Sequence, residues 1–153
     1  MMQFREAQPT DIPALLKVRF SVTENVLRNR ALVTAANTEE YLFHRGKGWV
    51  CEVEGQVVGF AIADLRAHNV WALFVRPAYV GHTIGKQLLG LLLTWYFAQT
   101  QETIELSTAP GTRAEEFYRR QGWREIGRTS SGEVQFELTA ATWRSELNKA
   151  LLS

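Results

Sequence analysis

A loop bounded by two glycines, Gly81 and Gly85, joins an apolar strand-like run to a long segment with helical periodicity. Every residue of the run 70–75 is apolar, and the helical pattern begins at the end of the loop. The first backbone N–H groups of a helix have no partner inside the helix, and the helix dipole favours negative charge there. Glycine has no Cβ, so a phosphate can approach such N–H groups closely. The spacing therefore predicts an anion site suited to phosphate.

Two common phosphate-binding motifs do not match this loop. A P-loop has four residues between its glycines and a Ser or Thr after the Lys, whereas here three residues separate the glycines and Gln87 follows Lys86. The dinucleotide fingerprint requires a glycine at the position of Thr83. We therefore expect neither P-loop binding of ATP nor a nicotinamide cofactor.

The loop lies within a predicted strand–helix–strand unit. The pattern predicts strands over residues 70–75 and 102–107 and a helix from the loop to about residue 99. Strands connected in this way run parallel, with a right-handed crossover. The buried face predicted for the helix contains Ile84, Leu88, Leu91, Leu92 and Trp95.

The first strand of this unit is expected to be covered on both faces, because it is apolar throughout. Side chains alternate along a strand, so one face is predicted to carry Val70, Ala72 and Phe74. The other face is predicted to carry Trp71, Leu73 and Val75.

Other elements are predicted on both sides of this unit. Those before it are a strand over 3–7, a helix from about Asp11 to Leu27 with a break near 21–23, a short helix capped by Thr38, and hairpin strands over 49–53 and 57–65. Those after it are a helix that begins with a Thr112–Glu115 capping box and stops at Gly122, hairpin strands over 123–128 and 134–138, and a C-terminal amphipathic helix over 140–153.

Composition indicates one domain over residues 1–153, with 46% hydrophobic residues and a formal charge of +1. The balanced charge argues against nucleic acid or an anionic membrane surface as a partner. Cys51, the only cysteine, is expected to be a buried thiol, which suits a cytoplasmic protein, and the N-terminus is too polar for a signal peptide. No apolar run spans a bilayer, and no cluster has metal-ligand spacing.

Two signatures on these elements resemble those of the GNAT superfamily, the general acyl-CoA-dependent N-acetyltransferases. The family's pyrophosphate loop, Arg or Gln-x-x-Gly-x-Gly or Ala, falls on residues 80–85, where Val80 replaces the first residue and Thr83 the central Gly. The second signature, Asn-x-x-Ala-x-x-Phe-Tyr-x-x-x-Gly-Phe, falls on residues 111–123, with Gly111 for Asn and Trp123 for the last Phe. It keeps Ala114, Phe117, Tyr118 and Gly122. The resemblance covers residues 3–138.

The resemblance implies a mixed α/β fold with a central, mostly antiparallel sheet, one splayed parallel strand pair and helices on both faces. It also implies acetyl-CoA as the acyl donor, with its pantetheine arm bonded to the backbone of Leu73, Phe74 and Val75. The pyrophosphate would lie on the N–H groups of Gly81, His82, Thr83, Ile84, Gly85 and Lys86. Because these contacts are made by backbone, Val80 need not abolish them. Thr83 is expected to be tolerated only where φ is not positive, and its hydroxyl is an alternative helix cap.

The implied chemistry is direct attack of an amine on the thioester, without a covalent enzyme intermediate. Tyr118 matches the family's usual acid for the leaving thiolate, and the N–H of Leu73 or a neighbour would polarise the acyl carbonyl. Glu24 is the base we expect, acting through water, because its region borders the acceptor pocket in the family. Asp64 and His68 are the other candidate bases.

The expected acceptor is an amine. Three arginines, Arg19, Arg28 and Arg30, suit a carboxylate-bearing acceptor, although arginines on a solvated helix are common. Two alternatives to the enzyme are a non-catalytic acyl-CoA-binding module and a protein-interaction module that forms a homodimer. The second alternative would use a face made of Trp143, Leu147 and Leu151.

Overall fold

The computed structural model describes residues 1–27 and 32–152, the last three of them by backbone only. The strands in this part of the chain are β1 Met2–Glu6, β2 Gly46–Val53, β3 Gln56–Asp64, β4 Asn69–Val75, β5 Ile104–Thr108, β6 Arg124–Arg128 and β7 Val134–Leu138. Its α-helices are α1 Ile12–Ser21, α2 Ala35–Glu40, α3 Ile84–Gln99, α4 Arg113–Arg120 and α5 Ala140–Leu152.

The strands follow the order β1-β2-β3-β4-β5-β7-β6 in a mostly antiparallel sheet with one parallel pair. This order confirms the predicted mixed α/β class. The chain divides into two compact units, Met1–Tyr96 and Phe97–Ser153. The single domain stays a prediction.

In the first unit, α1 packs against one face of the sheet. Leu15 and Val18, one turn apart on the helix, are almost fully buried in a cluster with β2, β3 and β4. Burying a side chain of this size contributes roughly 1.5–3 kcal/mol. The cluster consists of Ala7, Ile12, Leu15, Val18, Leu42, Val50, Phe60, Ile62 and Ala72.

A bulge in β4 changes the predicted alternation of its side chains. Ile62 of β3 pairs with Ala72 and Ala63 pairs with Val70, so Trp71 is an extra residue without a partner position. Trp71 packs against the same cluster as Phe74, and its ring stacks on Tyr41 with 4.1 Å between centroids. The prediction that Trp71 shares the face of Leu73 was therefore wrong. Only Ala72 in this strand is fully buried, so full coverage of both faces was also wrong.

The first residues of α3 pack on the opposite face of the sheet, at Gly59 of β3. A Cβ at Gly59 would lie 3.2 Å from Ile84 Cγ2 and 3.3 Å from Leu88 Cδ1, so the helix approaches the strand closely. The buried positions repeat every four residues and include Ile84, Leu88, Leu92 and Tyr96, together with Leu89 and Leu93. Leu91, which was predicted to be buried, is 38% exposed because it lies at the edge of this wide face.

The second unit is built around the aromatic side chains of β7 and α4. Phe136 is fully buried, and Tyr118 packs between it and Trp123 at centroid distances of 6.1 and 5.4 Å. The Thr112 hydroxyl caps α4 by accepting the Glu115 N–H at 3.3 Å. The helix ends as predicted at Gly122, whose φ is +89°.

Two predicted helix boundaries differ from the structure. α1 ends at Ser21, where the predicted break occurs, and residues 22–27 do not resume the helix. α2 is capped by Thr34, not Thr38, because Thr34 and Asn37 bond each other's backbone N–H groups in a capping box. Thr38 lies within the helix, where its hydroxyl donates to the Thr34 carbonyl at 2.7 Å.

Of the described helices, none combines the length and apolar character required to cross a bilayer. Within the same residues, no three His, Cys, Asp or Glu side chains lie together as metal ligands would.

An ion-pair cluster joins the start of α1 to the edge of the sheet. Arg5 Nη1 and Nη2 donate to the two carboxylate oxygens of Asp11 at 2.8 and 2.9 Å, and Arg5 also pairs with Glu52. The Gln8 N–H donates to Asp11 at 2.7 Å. These donors, Arg5 first, hold the pKa of the Asp11 carboxyl below its usual value although partial burial opposes them.

We predict that Asp11→Asn lowers the free energy of unfolding at pH 7 by about 2 kcal/mol, because two charge-assisted bonds are lost. The pKa of Asp11 is lower in the folded chain than in the unfolded chain. The carboxylate therefore stabilises the fold at pH values above its pKa in the unfolded chain. The difference in the free energy of unfolding between wild type and variant should therefore disappear as the pH falls through the pKa of Asp11 in the folded chain. Urea denaturation at pH 7 and at stepwise lower pH measures this difference.

Glu54→Gln is the matched control, because the Glu54 side chain is 82% exposed and pairs with the N-terminal ammonium. We expect a change within about 0.5 kcal/mol. An equal loss of unfolding free energy in both variants would contradict the stabilising role of the Arg5–Asp11 pair.

Candidate functional site

The residues predicted to bind the donor, 73–75, form the end of β4 and lie beside β3. Leu73, Phe74 and Val75 pair with Ala61, Phe60 and Gly59 in antiparallel register, and all three are half-buried. The register continues to the Arg76 N–H, which donates to the Val58 carbonyl at 2.8 Å. The structure thus holds the backbone of 73–75 in an extended conformation immediately before the glycine loop.

A short 3-10 turn, Pro77–Tyr79, leads from β4 into this loop. The Tyr79 N–H donates to the Arg76 carbonyl at 2.8 Å, so the chain turns before it reaches the glycines. Gly81 has φ of +85°, and a Cβ there would contact nothing within 4 Å. Glycine is therefore required at this position by the backbone conformation and not by lack of space.

The start of α3 presents several backbone donors in sequence. The first helical bond runs from the Gln87 N–H to the Thr83 carbonyl at 3.0 Å. The N–H groups of Ile84, Gly85 and Lys86 precede this bond and have no acceptor inside the helix. Ile84 is buried by its side chain, whereas His82 and Lys86 are exposed. These donors, the helix dipole and the Lys86 ammonium together fit an anion such as a pyrophosphate.

Thr83 adopts the backbone conformation that the sequence argued against. Its φ is +64°, in the left-handed region, which is an outlier for a β-branched residue. Such a conformation costs about 1–3 kcal/mol. The Thr83 hydroxyl accepts from the Gln87 side-chain amide at 3.0 Å, so it does not cap a backbone N–H of α3 in any described bond. The condition under which Thr83 was expected to be tolerated, a φ that is not positive, is therefore not met.

A cavity of about 230 Å³ lies on the α1 side of β4, entirely within the first unit. The rings of Trp71 and Phe74 form its sheet wall, together with Ala72. Its other lining residues are Leu15, Leu16, Arg19, Leu27, Leu32, Val33, Thr38 and Phe60. The lining is mostly apolar, and its volume is below the roughly 300–1,000 Å³ typical of pockets for larger ligands. The cavity therefore suits a small molecule.

Arg19 is the charged residue in this lining, among the described residues. Its Cζ lies 4.0 Å from the centroid of the Phe74 ring, which is cation–π geometry. Its Nη1 is buried without a hydrogen-bond partner in the part of the chain that the structure describes. Burial lowers the pKa of the guanidinium. An arginine on a solvated helix is the common case, and the structure shows a different environment.

The sequence contains a signal for this position. Arg19 follows Leu15 by four residues and Leu16 by three, so it shares the apolar stripe of α1. Arg28 and Arg30, the other arginines considered for the acceptor, lie outside the described residues.

The three candidate bases lie in different environments. Asp64 is buried, pairs with Arg45 at 2.8 Å and accepts the Arg66 and Ala67 N–H groups, so it closes a turn, and its role as a base stays a prediction. His68 lies in the same turn with Nδ1 2.8 Å from the Tyr96 hydroxyl. Glu24 lies in an exposed bend after α1, and its role stays a prediction.

Tyr118 lies in the second unit on the inner face of α4. Burial raises the pKa of its phenol well above the usual value, so the hydroxyl is protonated throughout the physiological range. Its ring contacts Phe117, Trp123 and Phe136. The acid role of Tyr118 stays a prediction.

The predicted interaction face of α5 is partly used inside the second unit. The Trp143 ring stacks on Phe97 with 6.3 Å between centroids, whereas Leu147 is 44% exposed. The side chain of Leu151 lies outside the described residues. Homodimer formation through this face stays a prediction.

Comparison with known proteins shows similarity along most of the chain. The model of the "Acetyltransferase (GNAT) family" matches residues 15–123, which include β4, the glycine loop and α4. No curated protein matches the chain.

Several solved structures share the fold. An acetyltransferase of the GNAT family from Staphylococcus aureus Mu50 has a TM-score of 0.77 and 22% identity over 91% of this chain and 99% of that one. A ribosomal-protein-alanine N-acetyltransferase from Brucella melitensis has a TM-score of 0.74 and 25% identity over 90% and 99%. The ribosomal-protein-S18-alanine N-acetyltransferase from Escherichia coli has a TM-score of 0.73 and 17% identity over 91% and 94%.

The strand, glycine loop and helix that fit an anion thus lie within the segment that the family model matches, and the chain belongs to the GNAT family of acetyltransferases.

Proposed function

We propose that the chain is an acetyl-CoA-dependent N-acetyltransferase that acts on a small amine by direct transfer. The observation that supports this most is the sequence of free backbone donors at the start of α3, directly after the extended backbone of 73–75. An apolar cavity lies on one side of that same strand. β4 would thereby bring together the donor and the acceptor.

The donor would be held largely by backbone. The N–H groups of residues 81–86 would bind its pyrophosphate, and the backbone of Leu73, Phe74 and Val75 would bind its pantetheine arm. The side chain of Val80 is 40% exposed and has no hydrogen-bond donor. The proposed contacts are made by backbone and do not depend on that side chain. Lys86 is exposed at the first turn of the helix and adds a positive charge.

In the proposed reaction the amine nitrogen attacks the carbonyl carbon of the thioester. A C–N bond forms, and the C–S bond then breaks with its electron pair going to sulfur. The amine loses one proton to the base, for which we propose Glu24 through water, and the thiolate, to which Tyr118 donates a hydrogen bond, takes one proton from solvent. The backbone N–H of Leu73 or a neighbour would donate to the carbonyl oxygen as negative charge develops there.

Tyr118 is the proposed donor to the leaving sulfur. A thiol has a pKa of about 8.5 in water, and the raised pKa of this phenol makes full proton transfer uphill. Donation of a hydrogen bond to the developing thiolate does not carry that cost. The raised pKa also keeps the proton on the phenol, so Tyr118 should not produce the basic limb of a pH–rate profile at physiological pH.

One observation favours a non-catalytic acyl-CoA-binding module as the second candidate. Thr83 is strained in the loop where the family motif has glycine. A strained loop with a Cβ beside the phosphate would hold the donor less well. Donor binding and turnover must therefore be measured separately.

We predict that Thr83→Gly raises the free energy of unfolding by about 0.5–1 kcal/mol, because relief of the left-handed strain exceeds the added entropy of the unfolded chain. The variant should also bind acetyl-CoA about threefold to tenfold more tightly. Thermal denaturation and calorimetric titration measure the two effects.

Thr83→Val is the control, because it keeps the branched Cβ and removes only the hydroxyl that accepts from Gln87. We expect no gain in affinity from this variant. Weaker binding by Thr83→Gly would show that the Thr83 side chain helps to bind the donor.

We predict that Tyr118→Phe lowers kcat at least tenfold and leaves the affinity for acetyl-CoA unchanged within about twofold. The phenylalanine ring keeps the contacts with Trp123 and Phe136, so the fold should be retained. Initial rates against a panel of small amines, with thiol release as the readout, measure kcat.

Tyr41→Phe is the matched control, because it also removes a phenol hydroxyl. The ring that stacks on Trp71 is retained. This variant should leave kcat unchanged. Tight binding of acetyl-CoA without turnover of any amine would favour the non-catalytic module.

A further inference from the structure

We propose that Arg19 binds a carboxylate of the acceptor within the cavity of the first unit. The acceptor class is then a small amine that carries an apolar body and a carboxylate, of which an apolar α-amino acid is the simplest member. This inference rests on the proposed function, because it names the acceptor for the same strand.

The first argument is the buried donor of Arg19. A guanidinium has five N–H donors and no acceptor, and a buried donor left without a partner is unfavourable. Nη1 is in this state among the described residues, on a side chain that lines the cavity. The stacking of the guanidinium over Phe74 at 4.0 Å favours one orientation of its donors before any ligand binds. An anion bound to the guanidinium would give Nη1 a partner once the side chains that cover this atom shift.

The second argument is the chemistry of the remaining lining. Thr38 contributes a hydroxyl, but that hydroxyl already donates to the Thr34 carbonyl. The rest of the described lining is apolar, so it suits a hydrocarbon or aromatic side chain. A guanidinium matches a carboxylate in geometry and in single charge. A phosphate monoester carries about −1.5 to −2 and would leave charge uncompensated in an apolar site.

The third argument is the position of the cavity relative to the donor strand. Ala72 and Phe74 line the cavity with their side chains, and the backbone of 73–75 is the proposed binding edge of the donor. A carboxylate on Arg19 would place the apolar body of the acceptor against Phe74. The amine of an α-amino acid is two bonds from its carboxylate carbon, so it stays near the same strand.

The first experiment uses probes that contain no amine and cannot be acetylated. Calorimetric titration of the chain with 3-phenylpropanoate and with 3-phenylpropanamide compares a carboxylate with a neutral group of the same shape. We expect the acid to bind at least tenfold more tightly than the amide. Equal affinities, or no saturable binding of the acid at millimolar concentration, would overturn the proposal.

The second experiment assigns the preference to Arg19. In Arg19→Met the preference for the acid should fall to less than twofold, and the melting temperature should not decrease because a buried donor without a partner has been removed. Lys17→Met removes the same charge from an exposed position of the same helix and should keep the preference. Retention of the preference in Arg19→Met, or its loss in both variants, contradicts the assignment.

The third experiment separates this inference from the proposed function. Acetylation of phenylalanine and phenylalaninamide is measured in wild type and in Arg19→Met, and the ratio of the two kcat/KM values should fall at least tenfold in the variant. If the amide is acetylated and the ratio does not change, the carboxylate inference fails and the N-acetyltransferase stands. If the acid probe binds through Arg19 but no amine is acetylated, the proposed function fails and the carboxylate site stands.

Discussion

One extra residue in β4 determines which side chains face the cavity. A regular strand would place Trp71 on the face opposite to Ala72. Because of the bulge, both residues lie on the face of the sheet on which α1 packs. Trp71 then stacks on Tyr41 and forms a wall that Phe74 continues. An apolar cavity beside the strand results, and α1 closes it from the other side with Leu15, Leu16 and Arg19. The geometry of the proposed acceptor site depends on this local change in register.

In the proposed reaction β4 would serve two ligands, because its backbone and its side chains project in different directions. Backbone N–H and C=O groups of a strand lie in the plane of the sheet, whereas side chains point above and below it. Donor contacts made by the backbone therefore do not restrict the side chains that line the acceptor cavity. For the same reason Val80 does not exclude a donor held by backbone, whereas the strain at Thr83 affects the conformation of the loop itself.

Elements with strong local signals were predictable from the sequence, and long-range adjustments were not. The hairpin between β2 and β3, the start of α3 after the glycine loop and the end of α4 at Gly122 depend on residue types at adjacent positions. The bulge at Trp71 depends on how β4 pairs with β3, and the face of α3 depends on its approach to Gly59. The strand, glycine loop and helix start of the candidate site were predictable because the residue types at adjacent positions encode them. The cavity was not, because its lining comes from separate elements.

The buried charges of the first unit divide into two kinds. Asp11 and Asp64 are each held by an arginine and by backbone N–H groups, so their charges are compensated within the fold. Arg19 is held by a ring instead, and one of its buried donors has no described partner. A methionine of similar length would pack there without that cost, and replacement of buried charge by apolar groups is often neutral or stabilising. The Arg19 guanidinium therefore lacks the compensation within the fold that the two aspartates have. In the proposed acceptor site a bound carboxylate would supply that compensation, and the cavity would then favour an acceptor that carries the anion together with the amine.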